Sequence, residues 1–172
     1  NIKLDMEKLE DSYLNTLDEV FKPVLKEKIN YLENSKIAER PRKSKKIVKN
    51  PKVIIPAFPG TNCEWDTKDA FEKYGAKAEI FVFKNQNEKE IKESLKEFSI
   101  LIKDAQILAI PGGFSLGDEP DGSGKFIANV LRAKEVKEAI EVLIEENDGL
   151  VIGICNGFQA LIKTGLIPYG KV

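Results

Sequence analysis

The chain has 172 residues, 42% of them hydrophobic, which is room for one ordinary domain with a real core plus an appendage. Its 27 basic and 28 acidic side chains leave a formal net charge of −1, so composition argues against nucleic acid or an anionic membrane as the main partner. No apolar stretch approaches the roughly 20 residues that span a bilayer, and the N-terminus lacks the apolar core of a signal peptide, so a cytoplasmic setting is expected.

Residues 6 to 33 carry Leu9, Tyr13, Leu17, Val20 or Phe21, Val24 and Leu32 at helical spacing, which predicts an amphipathic helical arm. Pro23 breaks one continuous helix but suits the first turn of a second, so two helices meeting near Lys22 are expected. The run Arg40-Pro41-Arg42-Lys43-Ser44-Lys45-Lys46 follows, with five positive charges and no apolar periodicity. It reads as a solvated linker in preference to a phosphate-binding patch. Residues 1–50 are thus assigned to arm and linker, and 51–172 to a globular part.

From Lys52 the pattern alternates short β-rich runs with helical ones. The predicted strands are 53–55, 78–83, 107–110 and 150–152, and the helices lie near 65–74, 88–102 and 125–147. This βαβαβαβ order predicts a doubly wound α/β domain with a mostly parallel sheet covered on both faces. Ligands of such sheets gather beyond the carboxyl ends of the strands. Three unusual loops fall there: Phe58-Pro59-Gly60-Thr61-Asn62-Cys63, Pro111-Gly112-Gly113-Phe114-Ser115 and Gly153-Ile154-Cys155-Asn156-Gly157. Within the first, Asn62 is the expected cap of the following helix. The sheet is expected to be a four-stranded part of a larger one, cut short at the C-terminus, and the absence of an initial Met fits a piece of a longer chain.

The third loop places a cysteine between an apolar strand and a helix, with glycine two positions away on each side. That is the layout of a nucleophile elbow with sulfur in place of oxygen. Backbone N–H groups and the dipole at the helix start favour a thiolate there, whereas the bland reading of Cys155 is a small core residue. The Gly112-Gly113 pair reads either as a tight turn or as one side of an oxyanion hole, with the amides of Gly113 and Asn156 as the two donors. Cys63, without flanking glycines, reads as a packing residue, and the two cysteines as separate thiols. Gly122-Ser123-Gly124-Lys125 fails as a phosphate loop, because Phe126 stands where Ser or Thr is needed. The acids of 118–122 read as a solvated loop, not a metal site. No histidine exists anywhere in the chain, so the base that a thiol nucleophile normally needs is missing from these residues.

The motif Gly153-Ile154-Cys155-Asn156-Gly157-Phe158-Gln159 resembles that of class I glutamine amidotransferases, a flavodoxin-like family. Residues 58–64, 111–118 and 118–126 resemble the glutaminase part of phosphoribosylformylglycinamidine synthase, the last of them its large single-chain form from clostridia-like bacteria. The resemblance covers 52–172, with the arm and linker placed at the junction after the synthetase domain. It implies that Cys155 attacks glutamine to form a glutamyl thioester, that the Gly113 and Asn156 amides hold the oxyanion, and that Gln159 helps seat the substrate. It also implies a role in de novo purine synthesis for the whole enzyme, an ATP-dependent ligase that uses ATP, magnesium and glutamine. No cofactor is expected in these 172 residues, and the expected partners are glutamine and the synthetase domain of the same chain. The family's catalytic His and Glu lie downstream of the elbow, whereas the sequence runs only 17 residues past Cys155, so negligible turnover is expected. Two other readings are a cysteine elbow protein of the DJ-1/PfpI kind and a catalytically dead docking module.

Overall fold

The computed structural model describes residues 4–17, 20, 46–117 and 123–172. The chain divides into two units, 1–42 and 43–172, each taken by itself. In the first, α1 (Met6–Leu14) starts at Asp5, whose carboxylate accepts from the Lys8 amide at 3.4 Å, and none of its residues is buried. The second arm helix and most of the basic run lie outside the described residues, as does the acidic loop 118–122.

The second unit is built on four strands, β1 (Lys52–Ala57), β2 (Lys77–Val82), β3 (Ile107–Ile110) and β4 (Leu150–Gly153), in the spatial order β2-β1-β3-β4. Every pairing is parallel. The intervening helices are α2 (Glu64–Lys73), α3 (Glu88–Asp104), α4 (Lys125–Arg132) and α5 (Lys134–Glu141), and α6 (Asn156–Thr164) and the short α7 (Leu166–Tyr169) follow β4. This is the doubly wound α/β sheet that the alternating pattern predicts. The strand order reverses between β1 and β3, so the loops after β1, β3 and β4 meet at one end of the sheet.

Side-chain alternation along the strands divides the core. Ile54, Leu108, Ile110 and Phe81 face a large cluster with Phe98 and Ile102 of α3, Ile127 and Leu131 of α4, Val136 and Ile140 of α5 and Leu161 of α6. Val53, Ile55, Ala78 and Ala109 face a small cluster that includes Phe71 of α2. Leu150 and Ile152 pair with Ile107 and Ala109 and so share the α2 face, yet both are exposed. Five phenylalanines knit β1, β2, α3 and α4 together. Phe58, at the root of the loop after β1, lies 5.6 Å from Phe83, 6.3 Å from Phe98 and 5.9 Å from Phe126, while Phe81 stacks on Phe98 at 5.3 Å.

α3 has the clearest local start signal. Asn87 Oδ1 accepts from the Glu90 amide at 3.0 Å, and Glu90 Oε2 reaches back to the Gln86 amide at 3.2 Å. Asn87→Ala is expected to cost about 1 kcal/mol, seen as a lower urea midpoint with an unchanged slope.

Two local expectations are corrected. The single helix over 125–147 is broken at Ala133, whose ψ of 136° ends α4 and opens α5, and its last turn is π-helical over Val142–Glu146. The cause is a change of phase. Extending the Ile127-Leu131 stripe would bring Lys134, Glu135 and Glu138 inward, whereas the chain buries Val136, Ala139, Ile140 and Leu143. Asn62 is not the cap of α2. Cys63 holds that position, its carbonyl accepting from both the amide and the hydroxyl of Thr67, at 3.0 and 2.7 Å. Asn62 is drawn out of capping geometry because its amide donates to Gly112 O at 3.4 Å.

Candidate functional site

β4 delivers the chain to Cys155 in a conformation that few residues adopt, φ 50° and ψ −108°, and α6 begins at the next residue. The turn is forced by how closely α6 descends on the sheet. A Cβ on Gly153 would stand 2.7 Å from the Gly157 carbonyl carbon and from Leu161 Cδ1. One on Gly157 would overlap the Ile110 carbonyl oxygen, with the carbonyl carbon 2.9 Å away. Only glycine at both places allows this approach, and the helix then starts with no room for a gradual bend. The amides of Gly157 and Gln159 close the first turn onto Ile154 O and Cys155 O at 2.9 and 3.0 Å. Cys155 is left exposed at the carboxyl end of the sheet.

The loop after β3 runs beside it. A Cβ on Gly112 would lie 3.4 Å from Cys155 Cβ. The loop after β1 braces this segment through an isolated antiparallel bridge between Thr61 and Gly113. In that bridge the Asn62 amide donates to Gly112 O at 3.4 Å and the Phe114 amide to Gly60 O at 2.9 Å. Such a pair exchanges bonds through its neighbours, so Gly113's own N–H points away from the brace. Thr61 is fixed in turn by its hydroxyl, which accepts from the Phe58 amide at 3.0 Å. Gly113 has φ 138°, and a side chain there would overlap Gly60 O and stand 2.9 Å from Thr61 Cα.

Asn156 does more than supply an amide. Its side chain is 1% exposed. Oδ1 accepts from the Ser115 amide at 3.2 Å and Nδ2 donates to Gln159 Oε1 at 3.1 Å. The residue after the cysteine therefore ties the Gly112-Gly113 loop to α6 and orients Gln159. Sequence reasoning overlooked this clamp, and it overlooked the Gly60-Thr61 brace. The one available signal was a polar residue inside an otherwise glycine and apolar elbow. Asn156→Ala leaves the Ser115 amide without that buried acceptor and is expected to cost about 1–3 kcal/mol. Asn156→Asp keeps the acceptor and should cost less, a difference that parallel denaturant titrations would read.

The structure thus brings Cys155, Gly113, Asn156 and Gln159 together at the switch point of the sheet. Gly124, in the segment rejected as a phosphate loop, packs instead: it precedes α4 with φ 70°, and a Cβ there would sit 2.7 Å from the Ala160 amide of α6. Among the described residues no three His, Cys, Asp or Glu side chains converge on a metal position, and no helix is long and apolar enough to cross a membrane.

Phosphoribosylformylglycinamidine synthase subunit PurQ of Dehalococcoides mccartyi is 46% identical over 118 residues, covering 68% of this chain and 41% of that protein. The corresponding subunits of Campylobacter jejuni and Sulfurimonas denitrificans are 38% and 35% identical, covering 67% and 68% of this chain and 43% and 44% of their own. The chain spans about two-fifths of the length of these curated relatives. Among solved structures, that of PurLQS from Thermotoga maritima matches with TM-score 0.46 and 28% identity, over 68% of this chain and 45% of that one. The model of the CobB/CobQ-like glutamine amidotransferase domain matches residues 50–172, all four strands and all three loops included, and the chain belongs to that family.

Proposed function

We propose that this chain carries the nucleophile-bearing part of a glutaminase that supplies ammonia for phosphoribosylformylglycinamidine synthesis in purine biosynthesis. The observation that carries the reading is Cys155, held at φ 50° on a strand-to-helix elbow beside the Gly112-Gly113 loop, in a family of glutamine amidotransferases whose similar members are PurQ subunits.

In this mechanism Cys155 Sγ attacks the carboxamide carbon of glutamine. The oxyanion accepts hydrogen bonds from the Gly113 and Asn156 amides, which the Thr61 bridge and the Asn156 side chain hold in place before substrate arrives. Preorganised donors of this kind are worth about 3 kcal/mol each in the transition state. Collapse expels ammonia and leaves a glutamyl thioester, which water resolves to glutamate. Gln159, oriented by Asn156, contacts the substrate beside the elbow.

With no histidine in the 172 residues, the base that takes the thiol proton comes from outside them. ATP and magnesium act in the synthetase portion of the whole enzyme. The single-chain reading is supported by the residues ahead of the matched domain, which contain a helix and a basic run. Ammonia release from glutamine tests the proposal, measured on the full-length protein and on residues 1–172 alone. Release is expected from the first and not from the second. No release from the full-length protein, with all synthase substrates supplied, would leave the docking-module reading in its place.

A further inference from the structure

Cys63 is the reactive group that the proposed mechanism does not use, and it is not remote from the elbow. A Cβ built on Gly112 would lie 3.8 Å from Cys63 Sγ and 3.4 Å from Cys155 Cβ, so both cysteines border one methyl-sized volume left empty by glycine. Cys155 is exposed and strained, and Cys63 is half-buried at the start of α2. The Cys63 sulfur makes no capping bond to α2, and its S–H donates only to Asn62 Oδ1 at 3.3 Å, a weak bond that a χ1 rotation breaks.

We infer that Cys63 and Cys155 form a thiol pair responsive to hydrogen peroxide, in which Cys155 is oxidised first and Cys63 resolves it as a disulfide. The Cys155 thiolate attacks one oxygen of the peroxide. An S–O bond forms, the O–O bond breaks, and the departing oxygen leaves as water with the thiol proton. Cys63 sulfur then attacks the sulfenic sulfur. An S–S bond forms, the S–O bond breaks, and the hydroxyl leaves as water with the Cys63 proton. Two thiols are oxidised by two electrons, and one peroxide becomes two waters. The approach runs beside Gly112, which places no side chain of its own between Cys63 Sγ and Cys155 Cβ. A disulfide needs Cβ atoms about 4 Å apart, so closing the pair draws the two side chains together across the volume beside Gly112. The consequence is protection, since sulfenic acid that finds no thiol proceeds to sulfinic and sulfonic acids that reduction does not reverse. This chemistry does not depend on the glutaminase reading.

The test treats the folded chain with dilute hydrogen peroxide and reads free thiols and peptide masses without reduction. In the wild type both thiols are expected to disappear together, a peptide joining Cys63 to Cys155 to account for the loss, and dithiothreitol to restore both. In Cys63→Ser, Cys155 is expected to reach sulfinic acid and resist dithiothreitol. Gly112→Ala supplies a second variant: its added methyl meets both neighbours at ordinary contact distances and fills the volume through which the sulfurs approach. It should lose the joined peptide while keeping both cysteines. Over-oxidised Cys155 beside free Cys63 in the wild type would overturn the proposal. So would disulfides joining separate chains, or a joined peptide forming as readily in Gly112→Ala.

Discussion

Replacing Cys155 with alanine in the full-length protein is expected to reduce glutamine-dependent ammonia release by a factor on the order of 10⁴ or more, since a nucleophile removed from a site that acts as a unit removes most of the catalysis with it. The geometry makes Cys155 hard to substitute functionally by a neighbour. Its sulfur is delivered by a backbone conformation that Gly153 and Gly157 impose through contact with β3 and α6, and no other described residue shares that conformation beside the Gly112-Gly113 loop. Alanine tolerates the same turn about as well as cysteine, so thermal stability should stay nearly constant while turnover collapses. On the proposed function, use of ammonia supplied directly should survive, because that step would bypass the elbow. Retained glutamine-dependent turnover in the variant, with the protein folded, would remove Cys155 from the mechanism.

Phe58→Ala is expected to destabilise the domain by about 3–5 kcal/mol, the usual cost of emptying a buried phenylalanine site. Phe58 is 4% exposed and touches three other rings, from the residue after β2, from α3 and from α4, so no single neighbour can collapse into the space. Against a typical total of about 5–15 kcal/mol, that is a large fraction, visible as a shifted guanidinium midpoint. The second consequence is local. Phe58 anchors the loop whose Thr61 pairs with Gly113, and its amide and carbonyl both bond Thr61 directly. Loosening it should also lower kcat through the proposed oxyanion donors, and by more than Asn87→Ala, which lies away from the loop. A variant that loses stability with kcat unchanged would separate the aromatic cluster from the site.

What the amino-acid sequence determined by itself was local and periodic. Four short β-branched runs alternating with helical stretches gave strands whose ends lie within two residues of β1 to β4, because period and length are properties of consecutive residues. The elbow was legible for the same reason: the glycine spacing around Cys155 is a local statement about where backbone must pass close to backbone. The break at Ala133 was legible in principle, since the apolar stripe changes phase there, but weighing that phase requires knowing which face is buried.

Tertiary structure decided what depends on residues far apart in sequence. The Thr61-Gly113 bridge, the Asn156 side chain reaching Ser115, and the single small volume that Cys63 and Cys155 share across Gly112 all join segments separated by the strand order β2-β1-β3-β4. Asn62 shows the competition directly. Its residue type suits a helix cap, but the amide pairing with Gly112 draws it into an extended bridge, and Cys63 takes the cap position instead. Local propensity is worth about 1 kcal/mol, and the packing of a parallel sheet around its switch point outweighs it.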